Sequence, residues 1–162
     1  MIQAIRETNF EAFVDVYDTR ISNRPREYTR HLFKFINDLD GAVFYAYPIP
    51  YSYLDRYFVG NFIYSSPPVN GDVYLGKLDL IPAGYFKYEV YEVSWAGDDV
   101  VLSAATAPKN ETEVLVVRPE HGVVEGLVAI GKLYLAEKSG SEEVQYTEYE
   151  APASTNTIYY GQ

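Results

Sequence analysis

The chain has 162 residues, a formal net charge of −10, a 16% share of Phe, Trp and Tyr, and no cysteine. That length suffices for one domain with a real hydrophobic core. The missing thiols exclude a disulfide framework, thiolate metal ligation and a cysteine nucleophile, and the acidity argues against nucleic acid, whose phosphates are held mainly by Lys and Arg.

The N-terminal "MIQAIRETNF" has neither the apolar run nor the small-residue cleavage site of a secretory signal. No apolar stretch approaches the roughly 20 residues a helix needs to cross a bilayer, so a soluble chain with no membrane partner is expected. From residue 10 onward, period-two alternation dominates and no window carries a helical stripe. Strands are predicted over 10–17, 31–37, 42–48, 56–64, 72–80, 86–93, 100–104, 113–117, 131–137 and 143–150. Asp40-Gly41, Asn70-Gly71, Ala83-Gly84, Gly97-Asp98 and Ser139-Gly140-Ser141 punctuate them as turns. The spacing predicts an all-β sandwich with extended loops over residues 1–150, followed by a short C-terminal tail or arm at 151–162.

Charge is unevenly spread. Residues 1–60 carry seven Lys/Arg against eight Asp/Glu, and residues 61–162 six against fifteen. Within the first part, a basic loop segment at 18–34 holds Arg20, Arg24, Arg26, Arg30 and Lys34, opposed from Arg20 onward only by Glu27. Such a segment is either a solvated face or a docking patch for an acidic partner. In "LIPAGYFKYEVYEV" (80–93), alternation sends Phe86, Tyr88 and Val90 to one face, the core. Tyr85, Lys87, Glu89 and Tyr91 fall on the other face, where Tyr85 and Tyr91 are candidate partner contacts. The tail ends in Ile158, Tyr159 and Tyr160, costly residues to leave in water, so it is a frayed terminus, a last strand, or an arm that pairs with a neighbouring subunit.

Catalytic signatures are sparse. The two histidines, His31 and His121, stand near no G-x-S-x-G elbow and are expected at the surface or rim. In "INDLDG", Asp38, Asp40 and Gly41 match part of a calcium loop, but Ile36 and Tyr47 fall where carboxylates are needed, and a hairpin turn fits better. There is no Walker loop and no G-x-G-x-x-G between a strand and a helix. Binding without enzymatic activity, cofactor or metal is the expectation. A sugar-binding platform would favour tryptophan, of which there is one, Trp95. Seventeen tyrosines lying at both strand parities suit contact with protein better.

Several stretches together carry a family likeness. "RISN" followed by "HLFKFINDLDG", then "DRY" with "PPVNGDVYLGKLDLIPAGYFKYEVYE", and finally "GVVEGLVAIGKLYLAE" with "VQYTEYE" and "NTIYYGQ" resemble small Ig-like β-sandwich virion proteins of tailed phages that infect Bacteroidota, including crAss-like phages. The resemblance covers most of the chain and consists of turn-and-strand signatures. It implies an Ig-like antiparallel β-sandwich and a non-enzymatic role as an auxiliary or decoration protein on the capsid lattice. The implied partners are the major capsid protein or other virion proteins, with multiple copies per particle. Its implied location is the virion, after synthesis in the host cytoplasm. Alternatives are a neck, tail or fibre-attachment protein of the same virion, and a carbohydrate-binding or adhesin-like module.

Overall fold

The computed structural model describes residues 1–54, 56–69 and 71–139. The predicted strand at 143–150, the tail at 151–162 and its Tyr159 and Tyr160 lie outside the described residues, as do Asn70 and Gly140 of two predicted turns.

The fold is all-β. Its strands are β1 (Ile2–Ile5), β2 (Phe10–Val14), β3 (Thr29–Asn37), β4 (Val43–Ala46), β5 (Tyr51–Tyr53), β6 (Phe58–Tyr64), β7 (Lys77–Leu78), β8 (Gly84–Trp95) and β9 (Gly122–Ala136). Two single 3-10 turns, Arg26–Tyr28 and Asp72–Leu75, are the helical content among the described residues. One sheet has the order β1-β9-β8-β3-β4, and the other β2-β6-β5 with β7 beside β6. The predicted antiparallel arrangement holds for most pairs, but β1 runs parallel to β9 and β7 parallel to β6, so both sheets are mixed.

The sheets face each other across a core in which Phe33 and Phe35 of β3, Phe58 and Phe62 of β6, and Phe86, Tyr88 and Val90 of β8 meet. The inward series predicted for β8 is therefore the observed one. Aromatic rings meet here edge-on and stacked, as Phe33 does on Phe62 and on Phe58, geometries that suit the ring quadrupole. The hairpin predicted at 38–41 also forms: Leu39 N–H donates to Asn37 Oδ1 at 2.7 Å, Ala42 N–H to Asp40 Oδ1 at 2.9 Å, and Gly41 takes φ 75°.

Three predicted strands are replaced. Over 72–80, Gly71 and Gly76 sit at φ 101° and 69°, closing a 3-10 turn that leaves only two residues for β7. Segments 100–104 and 113–117 pair with no strand and belong to a long excursion, 96–121, that crosses the outer face of the five-stranded sheet. There Val100, Leu102 and Ala107 pack on Leu32, Tyr47, Val93 and Trp95, a second core outside the space between the two sheets. The predicted strand at 131–137 is the end of the much longer β9, which passes Gly126 at φ 150° beside two irregularities in its pairing with β8.

Candidate functional site

The basic segment folds into an ordered loop, and one buried carboxylate explains how. Glu92 of β8 is fully buried and accepts hydrogen bonds from the N–H groups of Ser22 (2.8 Å) and Ile21 (3.3 Å). A buried charge is tolerable only with such partners. Ser22 Oγ in turn accepts from Arg24 N–H at 3.1 Å, and Arg24 Nη1 donates to Ala96 O at 3.2 Å. Arg20 donates to the carbonyl of Arg24. Thr29 Oγ1 donates to Pro25 O and Arg26 O, fixing the 3-10 turn that carries Arg26. The "RISN" turn is thus fastened to the end of β8.

This loop faces the β5–β6 hairpin across a cleft lined by Tyr17, Arg20, Arg26, His31, Tyr53 and Arg56, among others. The guanidinium of Arg26 lies 4.8 Å from the ring centre of Tyr17 and 5.3 Å from that of Tyr53, and Arg30 lies 4.8 Å from Tyr51. Cation–π contact holds Arg26 by its face and leaves its N–H edge available, whereas Arg30 Nη1 also donates to Glu27 O and Thr29 O at 2.9 and 2.6 Å. Among the described residues, none of Arg20, Arg24, Arg26, Arg30 and Arg56 has a carboxylate within 4.0 Å, whereas every other arginine and every lysine except Lys109 is ion-paired. Of these five, Arg20, Arg26 and Arg56 line the cleft, Arg30 lies over Tyr51 beside it, and Arg24 lines a neighbouring pocket with Ala96 and Glu125.

His31 forms the cleft's inner wall. The prediction of a surface or rim histidine is corrected: His31 is 3% exposed, because it shares the inward face of β3 with Phe33 and Phe35. Burial first, then the charges of Arg20 and Arg30, push its pKa down to about 3, so it is neutral at ordinary pH. Its Nδ1 lies 3.4 Å from the Tyr53 hydroxyl, and its Nε2 has no hydrogen-bond partner among the described residues. Burial raises Tyr53 to about 12. His121 is half-buried, its Nδ1 2.6 Å from Val116 O.

The other predicted site residues lie elsewhere. Lys34 leaves the basic group: on the outer face of β3 it donates to Glu111 Oε1 at 2.6 Å and lies 3.6 Å from Glu89. Tyr91, predicted to await a partner, is half-buried under the chain's own 96–121 excursion and donates to Glu89 Oε2 at 2.8 Å. Tyr85 is 55% exposed and stands at the opposite end of β8 from the arginines, its ring 4.9 Å from that of Tyr134. The structure therefore gathers Arg20, Arg24, Arg26 and Arg30, adds Tyr17, Tyr51, Tyr53 and Arg56, and sets Tyr85 and Tyr91 apart. Arg56 was missed because it stands 26 residues after Arg30 in sequence, and only the β5–β6 turn returns it.

Comparison of the chain with protein-family models, with curated proteins and with solved structures finds no match. The geometry of the cleft therefore carries the functional argument. Among the described residues, no helix is long and apolar enough to cross a membrane.

Proposed function

We propose that the chain is a non-enzymatic structural protein of a phage virion, an auxiliary or decoration protein of the Ig-like sandwich type. It docks on the capsid lattice through the arginine and tyrosine cleft. One observation carries the docking surface: five arginines that have no ion pair with a described residue, on a chain whose net charge is −10. Arginines left unpaired amid so many carboxylates, yet held in place by tyrosine rings and backbone carbonyls, are set to meet an acidic surface. The family likeness of the turn and strand signatures supplies the virion setting, with the major capsid protein as the leading partner and a neck, tail or fibre protein as the alternative.

A sugar platform fits this cleft less well. Stacking a sugar ring needs open aromatic faces, and here guanidinium groups already lie over the rings of Tyr17, Tyr53 and Tyr51. Quantitative mass spectrometry of purified particles of the encoding phage tests the proposal. It predicts many copies per particle, and a particle without this chain would refute it.

A further inference from the structure

We propose that the cleft is a carboxylate-binding pocket, which receives an Asp or Glu side chain from an acidic segment of the partner between Arg20 and Arg26, above the imidazole of His31. This rests on the docking surface proposed above and names the chemistry that anchors it.

Shape comes first. A tight cavity of about 10 Å³, the volume of one water-sized group, is lined by Tyr17, Arg20, Arg26 and Tyr53 together with His31 and Phe58. A more open cavity of about 710 Å³, the mouth, shares Tyr17, Arg20, Arg26, Tyr53 and Leu54 with it. A carboxylate at the mouth can send one oxygen inward.

The donors match that shape. Arg26 is fixed by both tyrosine rings and donates no hydrogen bond to a described residue, so its planar fork is preorganised for a two-oxygen acceptor. Deeper in, His31 is neutral. Where Nδ1 accepts from the Tyr53 hydroxyl, 3.4 Å away, the proton of the neutral ring is on Nε2, the buried nitrogen that has no partner among the described residues. An unsatisfied buried donor beneath uncompensated cations is costly unless an acceptor arrives.

The arrangement also supplies its own reporter. Arg20 and Arg30 are the charges that oppose His31 protonation, while Tyr53 faces its Nδ1. An anion placed among them offsets that opposition, so binding and His31 protonation are coupled, and the coupling is reciprocal.

The experiment titrates the purified full chain with a capped hexaglutamate peptide, following the His31 ring resonances by NMR across pH and affinity by calorimetry. Inorganic phosphate serves as the comparison anion. The pocket predicts that saturating peptide shifts the His31 ring resonances at pH 7, where its carboxylates are charged. It further predicts that Arg26→Lys, which keeps the charge but loses the fork, weakens peptide binding by about tenfold or more. His31 resonances unmoved at pH 7 by saturating peptide, or equal affinity in Arg26→Lys, overturn the pocket. Phosphate that binds as tightly as the peptide and shifts His31 equally overturns its assignment to a carboxylate. Failure here is separable from failure of docking. If Arg24→Glu/Arg26→Glu/Arg30→Glu loses particle incorporation while the peptide leaves His31 unmoved, the docking surface stands and the pocket falls. If neither effect is seen, both fall.

Discussion

Glu92 shows how one buried residue sets a surface. Its two oxygens hold the backbone of Ile21 and Ser22, and through them the loop that carries Arg20, Arg24 and Arg26. Glu92→Gln puts an amide NH₂ against one of two N–H donors, so it should destabilise the fold by about 1–3 kcal/mol. Amide exchange at Ile21 and Ser22 should accelerate, and unchanged exchange in the variant would remove Glu92 from this role. His31 predicts a pH effect. Its folded pKa, about 3, lies below the ordinary 6.5, so the unfolded chain binds a proton that the folded chain refuses. Its contribution is complete above pH 6.5 and is lost as pH falls toward 3. Urea titrations of His31→Phe should therefore show stability falling less steeply than wild type across that window, and parallel curves would contradict it. Any carboxylates that titrate in the same range are common to both proteins. The alternation of β3 placed His31 beside Phe33 and Phe35, so its burial was legible. Its histidine chemistry suggested the surface instead, and hydrophobic periodicity proved the better guide.

At the scale of elements, the excursion over 96–121 decides what the tyrosines do. Glu111 anchors it to the sheet, accepting from Lys34 Nζ and from Tyr45 OH, each at 2.6 Å. Burial opposes the charge of Glu111, but the bonds from Lys34 and Tyr45 outweigh it and hold its carboxyl below the usual range. This anchor is accordingly intact above about pH 4.5 and weakens as pH falls. Glu111→Ala should cost about 2 kcal/mol, because a partly buried ammonium and a hydroxyl both lose an acceptor. Trp95, buried under the excursion and the sole tryptophan, reports it directly. Acrylamide should quench its fluorescence more readily in the variant, and equal quenching would show that other contacts hold the segment. Two parts of this excursion, 100–104 and 113–117, carry the apolar alternation of strands, but the first uses it to pack Val100 and Leu102 on the sheet face, and in the second Val114, Val116 and Val117 are exposed. Local sequence carries no sign of whether a neighbouring strand exists. The reverse error fell on β9, predicted only over 131–137: the strand runs on through Gly126, an irregularity that admits the Ile21 side chain, 2.9 Å from where a Cβ would stand.

On the scale of the whole molecule, the all-β class and the core face of β8 were written in periodicity, and the basic loop in composition. The parallel pairing of β1 with β9 was not, since it joins residues 2–5 to 133–136 and no local pattern encodes so distant a partner. Packing of the β5–β6 hairpin on His31 of β3 brings Arg56 and the hairpin tyrosines to the arginine loop, converting a basic stretch into a cleft. Docking through that cleft should weaken as salt rises, because its exposed charges are screened within about 10 Å at 0.1 M. The central claim is tested most directly by charge reversal. Particles assembled with Arg24→Glu/Arg26→Glu/Arg30→Glu are compared with particles carrying Lys109→Glu/Arg118→Glu/Lys132→Glu, the same change in net charge placed away from the cleft. With both variants folded, the account predicts near-complete loss of incorporation for the first and wild-type occupancy for the second. Equal occupancy in the two would contradict it.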